Sequence, residues 1–76
     1  MSPAGNANNL HNRVKELRSE RELTQADLGE IVGLTRQSII AIEKGRFTPS
    51  IHTALMLAAA LNTTVDELFW IENGVL

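Results

Sequence analysis

Apolar residues recur along this chain at helical spacing, and polar residues of the capping type interrupt them at regular intervals. Leu10, Val14 and Leu17 stand at i, i+4 and i+7, which predicts a first helix from Leu10 to about Glu20, before the Arg21-Glu22-Leu23 connection. Thr24, with Asp27 three residues on, has the form of an N-cap, and the aspartate also suits the positive end of a helix. Leu28 and Val32 give that second helix its inward face, and Gly33 suits the left-handed backbone of a helix stop. Thr35 caps a third helix from Arg36 to Glu43, with Ile39 and Ile42 facing in and Gly45 as its stop. Thr48-Pro49 marks a turn, and Ser50 caps a fourth helix to about Leu61. Asn62-Thr63 breaks the pattern, and Thr64 with Glu67 predicts a capping box opening a short fifth helix through Phe69. Residues 1–9, with Pro, Gly and Asn and no periodicity, read as a flexible arm. For the tail, 70–76, an edge strand and an irregular arm both fit. The pattern predicts one all-α domain over residues 10–69.

Composition narrows what such a domain can do. The chain has 76 residues, no cysteine, 43% hydrophobic and 21% charged residues, and a formal net charge of -2. That is the make-up of one small globular domain. A disulfide framework and thiolate chemistry are excluded, and with only His11 and His52 no metal site is expected. Asp66 and Glu67 read as a capping carboxylate and its neighbour. Nothing supplies a nucleophile, base and oxyanion site together, so neither catalysis nor a cofactor is expected. The start lacks a basic region and an apolar core, and the longest apolar run, 54–61, is short of the roughly 20 residues that cross a bilayer. A soluble, cytoplasmic protein with no membrane contact is the expectation.

Charge is distributed unevenly. Residues 1–46 hold all seven Lys and Arg against six acids, whereas 47–76 hold three acids and no base. A front half able to meet an anion and a back half with no such task is the implied division.

The stretch 24–46, TQADLGEIVGLTRQSIIAIEKGR, has two short helices joined by a brief turn containing Gly. This matches a helix-turn-helix, in which the second helix projects its N-terminal residues toward the DNA major groove. Here those residues are Thr35, Arg36, Gln37 and Ser38, while Leu34, Ile39 and Ile42 anchor the helix. Arg can make a bidentate contact to guanine and Gln to adenine, each worth about 1–3 kcal/mol of discrimination.

Residues 12–69 resemble the Cro/repressor-type helix-turn-helix regulators, also called the XRE family. The likeness rests on R-V-K-E-L-R-x-E-R-x-L-T-Q-x-D-L at 13–28, V-G-L-T-R-Q-S-I at 32–39, I-E-K-G-R-F-T-P-S at 42–50 and D-E-L-F at 66–69. It implies a five-helix, lambda-repressor-like domain whose third helix enters the major groove, acting as a dimer on a two-fold symmetric operator. Position by position, it implies base contacts from Arg36, Gln37, Ser38 and Ala41. It also implies backbone contacts from Gln25, Thr35, Lys44 and Arg46, and a structural salt bridge between Arg13 and Glu43. Lys15, Arg18 and Arg21 are then a solvated helix face, and His11 and His52 are exposed residues at helix ends.

Three positions depart from the family pattern. Gly29 replaces the usual alanine between helices 2 and 3, where it fits sterically but costs about 1 kcal/mol of helix propensity. Ile40 stands where the family is usually polar. Helix 4 carries no charge from Thr53 to Val65, and a helix apolar all round is normally buried on more than one side. Leu55, Met56, Ala59 and Ala60, with Phe69, Trp70, Ile71, Val75 and Leu76, therefore predict an association surface. The reading is a homodimer built from helix 4, helix 5 and the tail, with Leu55, Met56, Ala59, Phe69, Trp70 and Ile71 at its interface. The expected function is sequence-specific double-stranded DNA binding by a homodimeric transcriptional repressor. The alternative is an antitoxin-like or anti-regulator module whose helix 4 and tail bind a partner protein. A pure interaction domain that has lost DNA contact is a third reading, disfavoured by Arg36, Gln37, Lys44 and Arg46 standing together.

Overall fold

The structure, a computed structural model, describes residues 9–72. Its elements run β1 (Leu10–Asn12), α1 (Val14–Glu20), α2 (Gln25–Val32), α3 (Arg36–Glu43), α4 (Ile51–Ala60), α5 (Val65–Leu68) and β2 (Phe69–Ile71). Five helices surround a core of Val14, Leu28, Ile39, Ile42, Leu57 and Leu68, all fully buried. Each such side chain contributes about 1.5–3 kcal/mol on leaving water. The five-helix arrangement is as predicted, with a two-stranded antiparallel sheet beside it.

That sheet corrects two expectations. Leu10 does not open the first helix. It pairs with Ile71, His11 with Trp70 and Asn12 with Phe69, so α1 starts at Val14. The switch is held by Asn12, whose Oδ1 accepts the Val14 N–H (3.0 Å) and whose Nδ2 donates to the Ile42 carbonyl (3.0 Å). The Arg13 N–H donates to the Leu68 carbonyl (2.9 Å), tying the start of α1 to the end of α5. His11 is accordingly not an exposed helix-end residue. It is half-buried on a strand, stacked on Trp70 at 5.9 Å between centroids and paired with Glu72. Of the tail, the first residues thus form a strand within the chain; Val75, Leu76 and the arm residues 1–8 lie outside the described residues.

The caps follow the predicted pattern. Thr24 Oγ1 accepts the Asp27 N–H and the Asp27 carboxylate accepts the Thr24 N–H, both at 2.9 Å, a complete capping box. Ser50 caps α4, and Gly33 and Gly45 adopt left-handed φ of 78° and 75°. At α5 only half a box forms. Thr64 Oγ1 accepts the Glu67 N–H, but the Glu67 carboxylate accepts from the Thr63 hydroxyl instead (3.2 Å).

Gly29 also needs correction. A Cβ there would stand 2.6 Å from the Leu34 carbonyl oxygen, which is backbone and cannot yield cheaply. The Leu34 N–H donates to the Gly29 carbonyl (2.8 Å), so turn and helix are in direct backbone contact. Glycine is the residue that this close approach of α2 and the following turn requires, not a tolerated cost.

Candidate nucleic-acid interface

The interface is built on α3. Thr35, in extended backbone at the N-cap, accepts the Ser38 N–H and donates to the Ser38 Oγ, each at 3.1 Å. Those bonds fix the first turn and leave the Ser38 hydroxyl hydrogen available. With Ile39 and Ile42 buried in the core, the helix cannot rotate, and Arg36 and Gln37 stand exposed at its start. Ser38 and Ala41 are half-buried on the same helix, as is Ile40. At the far end the Gly45 N–H donates to the Ile42 carbonyl and the Arg46 N–H to the Ala41 carbonyl, a Schellman stop made by the left-handed glycine. Lys44 and Arg46 are exposed on this loop, at the helix end that favours cations. Among the described residues, no side-chain hydrogen bond or ion pair engages Arg36, Gln37, Lys44 or Arg46. Two short capped helices joined by a tight turn, with free polar side chains at the start of the second, form a helix-turn-helix.

The family profile for helix-turn-helix proteins matches residues 14–68. The chain belongs to the helix-turn-helix family of DNA-binding transcriptional regulators. It is 44% identical to an uncharacterized HTH-type transcriptional regulator of Bacillus subtilis, YgzD, over 84% of this chain and 97% of that protein. Among solved structures it is similar to the restriction-modification controller protein C.AhdI from Aeromonas hydrophila. That likeness has a TM-score of 0.68 and 34% identity over 72% of this chain and 83% of the other. The DNA-binding domain of the P22 c2 repressor is similar at a TM-score of 0.68 and 30% identity, covering 71% of each chain. The family is one of regulators, not enzymes.

Within this helix-turn-helix domain one expected contact falls differently and another residue has an additional partner inside the protein. The salt bridge to Glu43 is made by Arg18, not Arg13. Arg18 Nε donates to Glu43 Oε2 at 2.7 Å and Nη2 to Oε1 at 3.4 Å, with the two side chains only 12% and 4% exposed. Arg18 Nη1 also donates to the Leu23 carbonyl (2.8 Å), closing the end of α1 onto the turn. Because α1 starts at Val14, Arg18 lies at i+4 on the buried face, whereas Arg13 precedes the helix and is exposed over the Trp70 ring at 5.4 Å. Arg18 is therefore not part of a solvated face. Gln25, expected to contact the DNA backbone, is half-buried and donates from Nε2 to Glu43 Oε1 (3.0 Å). Sequence reasoning missed this three-way junction; the only hint was the single acid at the end of α3, beside Lys44.

Of the six residues expected at an association surface, all but one are exposed. Ala54, Leu57, Ala58 and Leu61 face the core, leaving Leu55, Met56 and Ala59 exposed. Phe69 is 9% exposed and belongs to the core, while the next residue of β2, Trp70, is exposed. Ile71 is exposed beside it. Ile51, 70% exposed and on a stripe with Leu55 and Ala59, was not foreseen. It borders an apolar groove of about 270 Å³ lined by Leu10, Pro49, Ala54, Val65 and Phe69. No helix among the described residues is long and apolar enough to cross a membrane.

Proposed function

We propose that this chain is a homodimeric repressor that reads a two-fold symmetric operator with α3 in the major groove. The observation that carries the reading is the start of α3, where Arg36 and Gln37 are exposed, held in place and unengaged within the described chain. Eight residues of α3 span about 12 Å at 1.5 Å per residue, a length the major groove admits. Arg36 and Gln37 read base edges, Ser38 offers its hydroxyl, and Ala41 meets a thymine methyl. Thr35, Gln25, Lys44 and Arg46 meet the sugar-phosphate backbone, which makes binding weaken steeply with salt through counterion release. The apolar flank of α4, with Trp70 and Ile71, pairs two copies, so that two α3 helices face half-sites about 34 Å apart. The likeness to a phage repressor domain and a controller protein favours repression by occlusion over other modes of control.

A specific observation also supports a second reading. The exposed Ile51-Leu55-Ala59 stripe would equally receive a partner protein, as in an antitoxin-like module. Selection from a randomised duplex library by the purified protein separates the two. Enrichment of a two-fold symmetric motif is expected. A folded protein that enriches no motif contradicts the repressor and favours the partner-binding module.

A further inference from the structure

Glu43 ends α3 and is immediately followed by Lys44, with Arg46 two residues further on. A surface that turns Lys44 and Arg46 toward phosphates therefore carries a carboxylate within the same turn of chain. A bare carboxylate closer to a phosphate row than the Debye length, about 10 Å at 0.1 M salt, opposes binding. Arg18 answers that charge with two N–H donors, one to each carboxylate oxygen, and spends its third bond on the Leu23 carbonyl. Glu43 Oε1 also accepts from Gln25 Nε2. A carboxylate only accepts, so the Gln25 amide must turn its nitrogen inward, leaving its second N–H and its Oε1 to meet a ligand.

We propose that Arg18 and Glu43 are positioning residues of the DNA interface: Glu43 orients Gln25, and Arg18 cancels the charge that Glu43 would otherwise set against the phosphates. Neither side chain touches DNA. The inference rests on the DNA-binding reading above and goes beyond it by assigning an electrostatic task to a nearly buried ion pair. It separates from a purely structural role by sign. A structural pair makes both single deletions act in one direction, whereas charge cancellation makes them act in opposite directions.

The test is fluorescence anisotropy with a random-sequence duplex DNA pool at about 50 mM and about 200 mM salt. Affinities are referred to the folded fraction measured by circular dichroism. Arg18→Met is expected to weaken binding by about tenfold at the lower salt, with a smaller deficit at the higher. Glu43→Gln, which keeps one acceptor oxygen and leaves Arg18 positive, is expected to tighten binding at the lower salt. The apolar pair Arg18→Met/Glu43→Met, which removes both charges, falls between the two, and it carries the comparison with Glu43→Gln where Arg18→Met alone does not fold. Weaker or unchanged binding by Glu43→Gln, or an unchanged affinity in Arg18→Met, overturns the proposal while leaving DNA binding intact. Wild-type protein that shows no salt-sensitive binding to the pool overturns the DNA-binding reading and this inference with it.

Discussion

The start of α3 and the flank of α4 are both exposed faces of helices anchored in one core, yet they leave opposite chemistry in water. On α3, Ile39 and Ile42 hold the helix while Arg36 and Gln37 project polar groups that nothing in the described chain satisfies. On α4, Ala54, Leu57 and Ala58 hold the helix while Ile51 and Leu55, 70% and 56% exposed, project apolar groups. No Lys or Arg occurs beyond Arg46, so α4 itself carries no lysine or arginine to offer an anion. A rigid polar face is suited to a polar partner read by hydrogen bonds, and a rigid apolar face to one recognised by burial. The domain thus keeps a polar face and an apolar face apart, and on the proposed function each is expected to be alterable without the other.

The largest effect is expected where the first face is built. Gly29→Ala gains about 1 kcal/mol of helix propensity. It also forces a Cβ to within 2.6 Å of the Leu34 carbonyl oxygen. Overpacking of this kind costs about 1–3 kcal/mol, so net destabilisation of up to about 2 kcal/mol and a displaced α3 are expected, checked by urea unfolding. On the second face, Leu55→Lys should weaken self-association by about tenfold in sedimentation equilibrium, since it places a charge in an apolar contact. Unfolding free energy at low protein concentration should be unchanged, because Leu55 is outside the core. If both variants altered both properties alike, the two faces would not be separable.

The smallest effect concerns the cap of α2. The Asp27 carboxylate accepts the Thr24 N–H and bonds the Thr24 side chain, which lowers its pKa below the ordinary 3.8. A lowered folded pKa means that its stabilisation is complete above that ordinary value and is lost as pH falls through the lowered one. The advantage of wild type over Asp27→Asn in thermal unfolding should therefore be larger near about pH 6 than near about pH 2.5.

What the sequence disclosed follows the range of the interactions. Caps act over three residues, so Thr24, Thr35 and Ser50 were legible, and so were the glycine stops. Strand β1 was not, because its partner lies near the other end of the chain and the spacing of Leu10, Val14 and Leu17 fits a helix equally well. The pairing of Arg13 with Glu43, which the resemblance implied, fails on the same geometry, since a helix starting at Val14 turns Arg18 toward Glu43. Phe69 was misplaced for a related reason: β2 begins there, with Phe69 buried and Trp70 and Ile71 exposed. Arg36 and Gln37 could be singled out from sequence because their exposure follows from the anchoring of Ile39 and Ile42 alone. The hold of Glu43 on Gln25 is a tertiary contact between the end of one helix and the start of another, and no local pattern encodes it.

The most direct test takes the operator recovered by selection and measures binding of wild type, Arg36→Ala and Gln37→Ala to it and to every single-base variant. Loss of about 1–3 kcal/mol of preference at particular base pairs, each tied to one side chain and with thermal unfolding unchanged, is the predicted result. Variants that fold normally and keep the full base preference of wild type would contradict the assignment of α3 as the helix that reads the sequence.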